Sequence, residues 1–120
     1  MPVDYDIIVI GGGGAGLSAA LHAANEGASV LLIEAGPALG GATALAGGVV
    51  YAAGTSVQKE AGIEDSAEDM YQYMMTLNQW SIKPALARRL ADNGASIIDW
   101  LIELGNEFPP HLIVESGVGG

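Results

Sequence analysis

Cysteine is absent from this chain, which excludes a disulfide framework, a thiolate metal site and a cysteine nucleophile. Positive charge is scarce: 4 Lys and Arg stand against 14 Asp and Glu, a net charge of −10, and none precedes Lys59. A chain of that sign has no basic footprint to displace counterions, so neither nucleic acid nor an anionic membrane is an expected partner. The opening Met-Pro-Val-Asp-Tyr-Asp lacks the basic n-region of a secretory signal, and the expected compartment is the cytoplasm. Long apolar runs are missing too. Ile7 to Ala24 approaches a membrane span in length, but five glycines, Ser18 and His22 interrupt it, so it reads as strand plus helix. Charged residues are only 15% while 50% are hydrophobic, which argues against disorder. A length of 120 residues permits one domain with a modest core.

Glycine is what the chain has in excess. Of its 18 glycines, 12 fall between Gly11 and Gly54. Ile7-Ile8-Val9-Ile10 is a β-branched run without polar alternation, the pattern of a strand buried on both faces of a parallel sheet. Gly11 to Gly14 end it, Ala15 to Asn25 reads as a helix stopped by Gly27, and Ser29 to Glu34 as a second buried strand. Residues 5–34 are therefore expected to form one βαβ unit.

Residues 35–54 are small, uncharged and glycine-rich, and are expected to be ordered backbone packed against something, with Val49-Val50-Tyr51 extended. The segment 64–105 turns helical. Ser66-Ala67-Glu68-Asp69 resembles a capping box ahead of a helix over Asp69 to Leu77. Pro84 opens a helix over Ala85 to Ala91, Asn93-Gly94 is expected to break it, and Ala95 to Leu104 makes another, stopped by Gly105. Met70, Met74, Met75, Trp80 and Trp100 read as core filling, and the run Glu64, Asp65, Glu68, Asp69 as a solvated helix start. Pro109-Pro110 is expected to force an extended segment. The composition shift near Thr55 is the nearest thing to a domain boundary.

Gly11, Gly13 and Gly16 form G-x-G-x-x-G directly between strand and helix, the context in which the pattern carries meaning. Gly11 allows the tight turn, Gly13 lets backbone approach a pyrophosphate, and Gly16 lets helix and strand pack closely. With no cation in the first 58 residues, the phosphates would rest on free amides at the helix N-terminus, and Gly14 stands with Gly11, Gly13 and Gly16 as a cofactor-binding candidate. Glu34 ends the second strand 18 residues after Gly16, within reach of ribose hydroxyls. Its charge accepts from a 2′-OH and repels a 2′-phosphate, which disfavours NADP and leaves FAD and NAD. His22 and His111 read as packed or solvated histidines without a catalytic role, and no metal constellation is visible.

Beyond Glu34, the residues Gly40-Gly41-Ala42-Thr43 and Ala46-Gly47-Gly48-Val49-Val50-Tyr51-Ala52-Ala53-Gly54 closely resemble the fumarate reductase/succinate dehydrogenase flavoprotein family, which includes ketosteroid dehydrogenases. Pro84-Ala85-Leu86-Ala87 and Ile98-Asp99-Trp100-Leu101 with Gly105 extend that resemblance along the whole chain. It implies FAD as cofactor, with Ala15 and Glu34 at the adenosine half, Ala42 and Thr43 at the pyrophosphate and ribityl chain, and Gly47 and Gly48 near the isoalloxazine ring. Membrane-bound succinate dehydrogenases link FAD covalently through a His before this segment. Gly41-Ala42-Thr43 has none, which implies a non-covalent flavin and disfavours the quinone-linked branch.

The expected fold is α/β, a Rossmann-type FAD-binding fold (a doubly wound parallel sheet) present only as its N-terminal part. Relatives add further strands and a substrate-capping domain that this chain does not show. The resemblance implies a small-molecule substrate and hydride transfer between flavin and an activated C–C bond next to a carbonyl or carboxylate. It leaves the electron donor or acceptor and the catalytic residues unknown, and implies that the 120 residues alone are inactive. A non-catalytic nucleotide-binding module and an NAD-dependent dehydrogenase fragment are the alternatives.

Overall fold

A computed structural model of the chain describes residues 3–115. The C-terminal glycines at 117, 119 and 120 lie outside them. The chain divides into two compact units, Met1–Val49 and Val50–Gly120, with the division inside the glycine-rich stretch.

In the first unit, strand β1 (Ile7–Ile10), helix α1 (Gly14–Asn25) and strand β2 (Val30–Ile33) follow in order. The strands pair in parallel, Ile7 against Val30 through Ile10 against Ile33, as two β-branched, apolar runs joined by a helix favour. The register is clasped just before both strands. The Asp6 carboxylate accepts from the Ser29 amide at 2.8 Å and from the Ser29 hydroxyl at 2.7 Å, while that hydroxyl accepts from the Asp6 amide at 3.0 Å. At the far end, the Gly11 amide donates to the Ile33 carbonyl at 2.7 Å and closes the strand pair.

Strand β1 has the expected bounds, β2 is one residue shorter at each end than the expected Ser29 to Glu34, and the cover of both differs from the expectation. Among the described residues the sheet has two strands, and Ile8 and Ile10 are 58% and 84% exposed. Among the described elements of the unit, α1 is the one packed closely on this sheet, so a run apolar on both faces is left partly exposed.

The second unit is helical: α2 (Ser56–Glu60), α3 (Ala67–Leu77) and α4 (Pro84–Glu103). Thr55 and Gln58 form a reciprocal capping box at the start of α2, both buried, and Gln58 also donates to Asp65 at 2.8 Å. Ser66 caps α3, accepting from the Asp69 amide at 3.1 Å. The core comprises Ala53, Met75, Ala87, Ala91 and Ile98. On the surface, Arg88 lies over the Tyr71 ring, 3.7 Å from its centre, and reaches Glu68 at 2.7 Å.

Three expectations need correction. Asn93-Gly94 does not break a helix: α4 runs unbroken from Pro84 to Glu103. Gly94 is buried, and a Cβ there would stand 3.1 Å from both Cα and Cβ of Ala52, so this glycine serves close packing of the chain at Ala52. Trp80 does not fill the core but is 59% exposed. It follows a helix end of unusual composition. The Trp80 amide donates to the Met75 carbonyl at 2.8 Å and the Gln79 amide to the Thr76 carbonyl at 3.0 Å, the paired bonds that also end α1 at Gly27 and α4 at Gly105. Here a glutamine, at φ 50°, occupies the left-handed position. Pro110–Leu112 closes a single 3₁₀ turn rather than staying extended.

Candidate functional site

The turn between β1 and α1 is closed by a shape only glycine allows at one point. A Cβ on Gly16 would overlap the Gly11 carbonyl oxygen and touch the Val9 side chain, so α1 lies directly against the strand it follows. Helix α1 begins at Gly14 with Gly13 as its cap and no side-chain cap of its own. Its first amides therefore need partners from elsewhere.

Those partners come from the segment after β2. The Glu34 carboxylate accepts from the Gly12 amide at 2.6 Å through Oε2 and from the Gly36 amide at 2.7 Å through Oε1. The Gly36 and Gly12 amides hold its carboxyl below the usual carboxylate range, so it is charged at neutral pH. The Gly40 amide donates to the Gly12 carbonyl at 2.7 Å, and Gly40 forms an isolated parallel bridge with Gly13. A 3₁₀ helix, Gly41–Leu45, follows, and from it the Thr43 hydroxyl accepts the Gly14 amide at 3.2 Å. The glycine-rich segment is thus packed against the turn through Gly40 and Thr43, while residues 41–50 are exposed.

Counting the turn amides shows what remains. Gly11 donates to Ile33, Gly12 to Glu34 and Gly14 to Thr43. Among the described residues, the amides of Gly13, Ala15 and Gly16 have no acceptor. A Cβ on Gly13 would find its nearest neighbour only at 4.0 Å, the Gly40 carbonyl oxygen, so that side of the turn is open. Unpaired amides at a helix N-terminus, beside an ionised acid at the end of the next strand, make a seat for a phosphate with a ribose next to it.

Of the predicted site residues, Gly11, Gly13, Gly14, Ala15, Gly16, Glu34 and Thr43 converge on this turn. Ala42 stands beside Thr43 in the 3₁₀ helix, exposed. Gly47 and Gly48 are exposed further along, with nothing within 4 Å of where a Cβ would be. The motif reading passed over Gly12, Gly36, Leu39 and Gly40. The glycines at the first x of the motif and two residues after Glu34 were the available signal. His22 is exposed in the last turn of α1 and His111 in the 3₁₀ turn Pro110–Leu112, and the described residues contain no His, Asp and Glu cluster fit for a metal.

The family model for the FAD binding domain matches residues 6–119. The chain belongs to that family. Its parallel α/β unit is part of a Rossmann-type FAD-binding fold, and FAD is its cofactor. NADH:fumarate oxidoreductase of Klebsiella pneumoniae is 43% identical over 104 residues, covering 87% of this chain and 11% of the relative. Fumarate reductase (cytochrome) of Shewanella frigidimarina is 42% identical over 100 residues, covering 83% of this chain and 18% of the relative. The 3-ketosteroid-Δ4-(5α)-dehydrogenase of Rhodococcus jostii superposes with a TM-score of 0.78 at 36% identity, over 88% of this chain and 22% of that one. The chain thus spans 11% to 22% of the length of these relatives. The geometry suits such a cofactor: the turn offers three amides without an acceptor among the described residues and one ionised acid beside them. No described helix is long and apolar enough to cross a membrane.

Proposed function

We propose that this chain supplies the adenosine- and pyrophosphate-holding part of a FAD-dependent oxidoreductase acting on a small molecule. The observation that carries the reading is the open set of amides at Gly13, Ala15 and Gly16 beside the anchored Glu34 carboxylate. Gly13, Ala15 and Gly16 would hold the pyrophosphate by hydrogen bonds, with Gly11 and Gly14 shaping the turn. Glu34 would accept from the adenosine ribose with the lone pairs its two backbone amides leave unused. Ala42 and Thr43 would border the pyrophosphate and ribityl chain, and Gly47 and Gly48 the ring, where exposed backbone without side chains suits a flat ligand.

Bound FAD supplies hydride exchange with an activated C–C bond next to a carbonyl or carboxylate, the chemistry suggested by the fumarate and steroid enzymes among the relatives. No residue of this chain is given a catalytic role, so the 120 residues alone are expected to turn over no substrate. The flavin is non-covalent on this reading, because Gly41-Ala42-Thr43, the stretch matching the His linkage of membrane-bound succinate dehydrogenases, holds no His.

The test is acid precipitation of the flavin-loaded protein. FAD released entirely into the supernatant is the expected result. Flavin in the pellet would refute non-covalent binding. Exclusive binding of NAD would favour a dehydrogenase of the other cofactor class, and nucleotide binding without turnover in the complete protein would favour a non-catalytic module.

A further inference from the structure

The first x of the G-x-G-x-x-G motif is the most enclosed position of the turn. Gly12 is buried, and all it offers is in use. Its amide donates to Glu34 Oε2 at 2.6 Å, its carbonyl accepts from the Gly40 amide at 2.7 Å, and the space a side chain would fill is taken. A Cβ on Gly12 would stand 2.5 Å from Leu39 Cδ2 and 3.1 Å from Glu34 Oε2. Its φ is not in the left-handed region, so the backbone itself would admit alanine. The constraint is one of space alone.

Resting on the FAD reading above, we infer that Gly12 is a positioning residue for ribose recognition: with Leu39 packed where its side chain would be, its amide sets where the Glu34 carboxylate stands. A glutamate at a strand end has several rotatable bonds and would otherwise sample many positions. Here Oε2 is tied to Gly12 and Oε1 to Gly36, so the carboxylate plane is held at both ends while each oxygen keeps one acceptor direction free. Leu39, itself 56% exposed, lies over the vacancy on the other side of Gly12. Any side chain at position 12 must push Leu39 out, which its flexible end allows, and then press on the carboxylate, which two backbone bonds restrain. The pressure falls on the one atom group that reads the ribose.

The test compares two ligands rather than one activity. Flavin-free complete protein is titrated with FAD and with an FAD analogue lacking the 2′-hydroxyl of the adenosine ribose. The unaltered protein should prefer FAD by about tenfold, the scale of one charge-assisted hydrogen bond. Gly12→Ala should weaken FAD binding while leaving the analogue nearly unchanged, so that the preference collapses to about threefold or less. Gly12→Ala/Leu39→Ala removes the 2.5 Å clash and guards against a folding defect; it should regain thermal stability but not the preference. Equal weakening of both ligands, or an intact preference in either variant, would overturn the positioning role while leaving FAD binding standing. Failure of the unaltered protein to bind FAD would instead overturn the FAD reading itself.

Discussion

The Thr43 hydroxyl accepts the Gly14 amide at 3.2 Å, so a residue 29 positions along the chain supplies the cap that Gly13 cannot give to helix α1. This ties the second glycine-rich segment to the first. Thr43→Val keeps the shape and removes the acceptor, leaving a fourth turn amide without a protein partner. We expect FAD affinity to fall about three- to tenfold, the worth of one neutral hydrogen bond, with Thr43→Ser close to the unaltered protein. Equal affinities for the valine and serine variants, measured by flavin fluorescence titration, would rule out the capping role.

Gly94→Ala offers a case in which the usual helix rule reverses. Alanine in place of glycine inside a helix ordinarily stabilises by about 1 kcal/mol. Here the new methyl would meet Cα and Cβ of Ala52 at 3.1 Å, and forced overpacking costs about 1–3 kcal/mol. The expected net effect is a loss of about 1 kcal/mol, read as a lower urea midpoint. A raised midpoint would mean that the chain at Ala52 yields freely.

Gln79→Gly should do the opposite. Glutamine at φ 50° ends helix α3 where glycine ends α1 and α4. The left-handed conformation costs a residue with a Cβ about 1–2 kcal/mol, part of which glycine loses again through its freer unfolded chain. A net gain of about 0.5–1 kcal/mol is expected in chemical denaturation. No change would show that the side chain of Gln79 contributes an offsetting contact.

Two carboxylates make the first unit sensitive to acid. The backbone and side chain of Ser29 lower the Asp6 pKa, and the amides of Gly36 and Gly12 lower that of Glu34. A lowered folded pKa means that the unfolded chain takes up protons first. The stabilisation is complete above the ordinary carboxylate range, about pH 4, and is lost as pH falls below it through the folded values. Hydrogen exchange of the Gly12 and Ser29 amides should quicken, relative to the intrinsic rate, over that interval and hold steady from there to neutrality. Asp6→Asn should remove the Ser29 part of the response. Unchanged amide protection across the acid range would show that these bonds do not hold the turn.

Much of the first unit was legible because two signals coincide there. The β-branched run Ile7–Ile10 and the glycines after it mark a boundary that periodicity and turn chemistry both demand, and Glu34 follows at a readable spacing. Glycine was ambiguous wherever it served packing rather than a turn. Asn93-Gly94 carries a local stop signal, yet α4 continues because the contact with Ala52 decides the matter, and that contact joins residues about forty apart. Gly12 was passed over for the same reason. Its neighbours, Glu34 and Leu39, are distant in sequence, and the motif treats its position as free. Gln79 has no composition cue at all, since the paired hydrogen bonds that place it arise from the backbone.

The proposed phosphate seat of neutral amides, with no Lys or Arg among the first 58 residues, has a consequence for ionic strength. Sites built on cations weaken as salt rises, because ions compete for the pair and screen it. The first 58 residues hold no such cation. The approaching dinucleotide instead meets a chain of net charge −10, whose field repels it over about 10 Å at 0.1 M salt. Added salt shortens that repulsion and leaves the short amide contacts intact, so flavin capture by this protein should become faster, not slower, as salt increases.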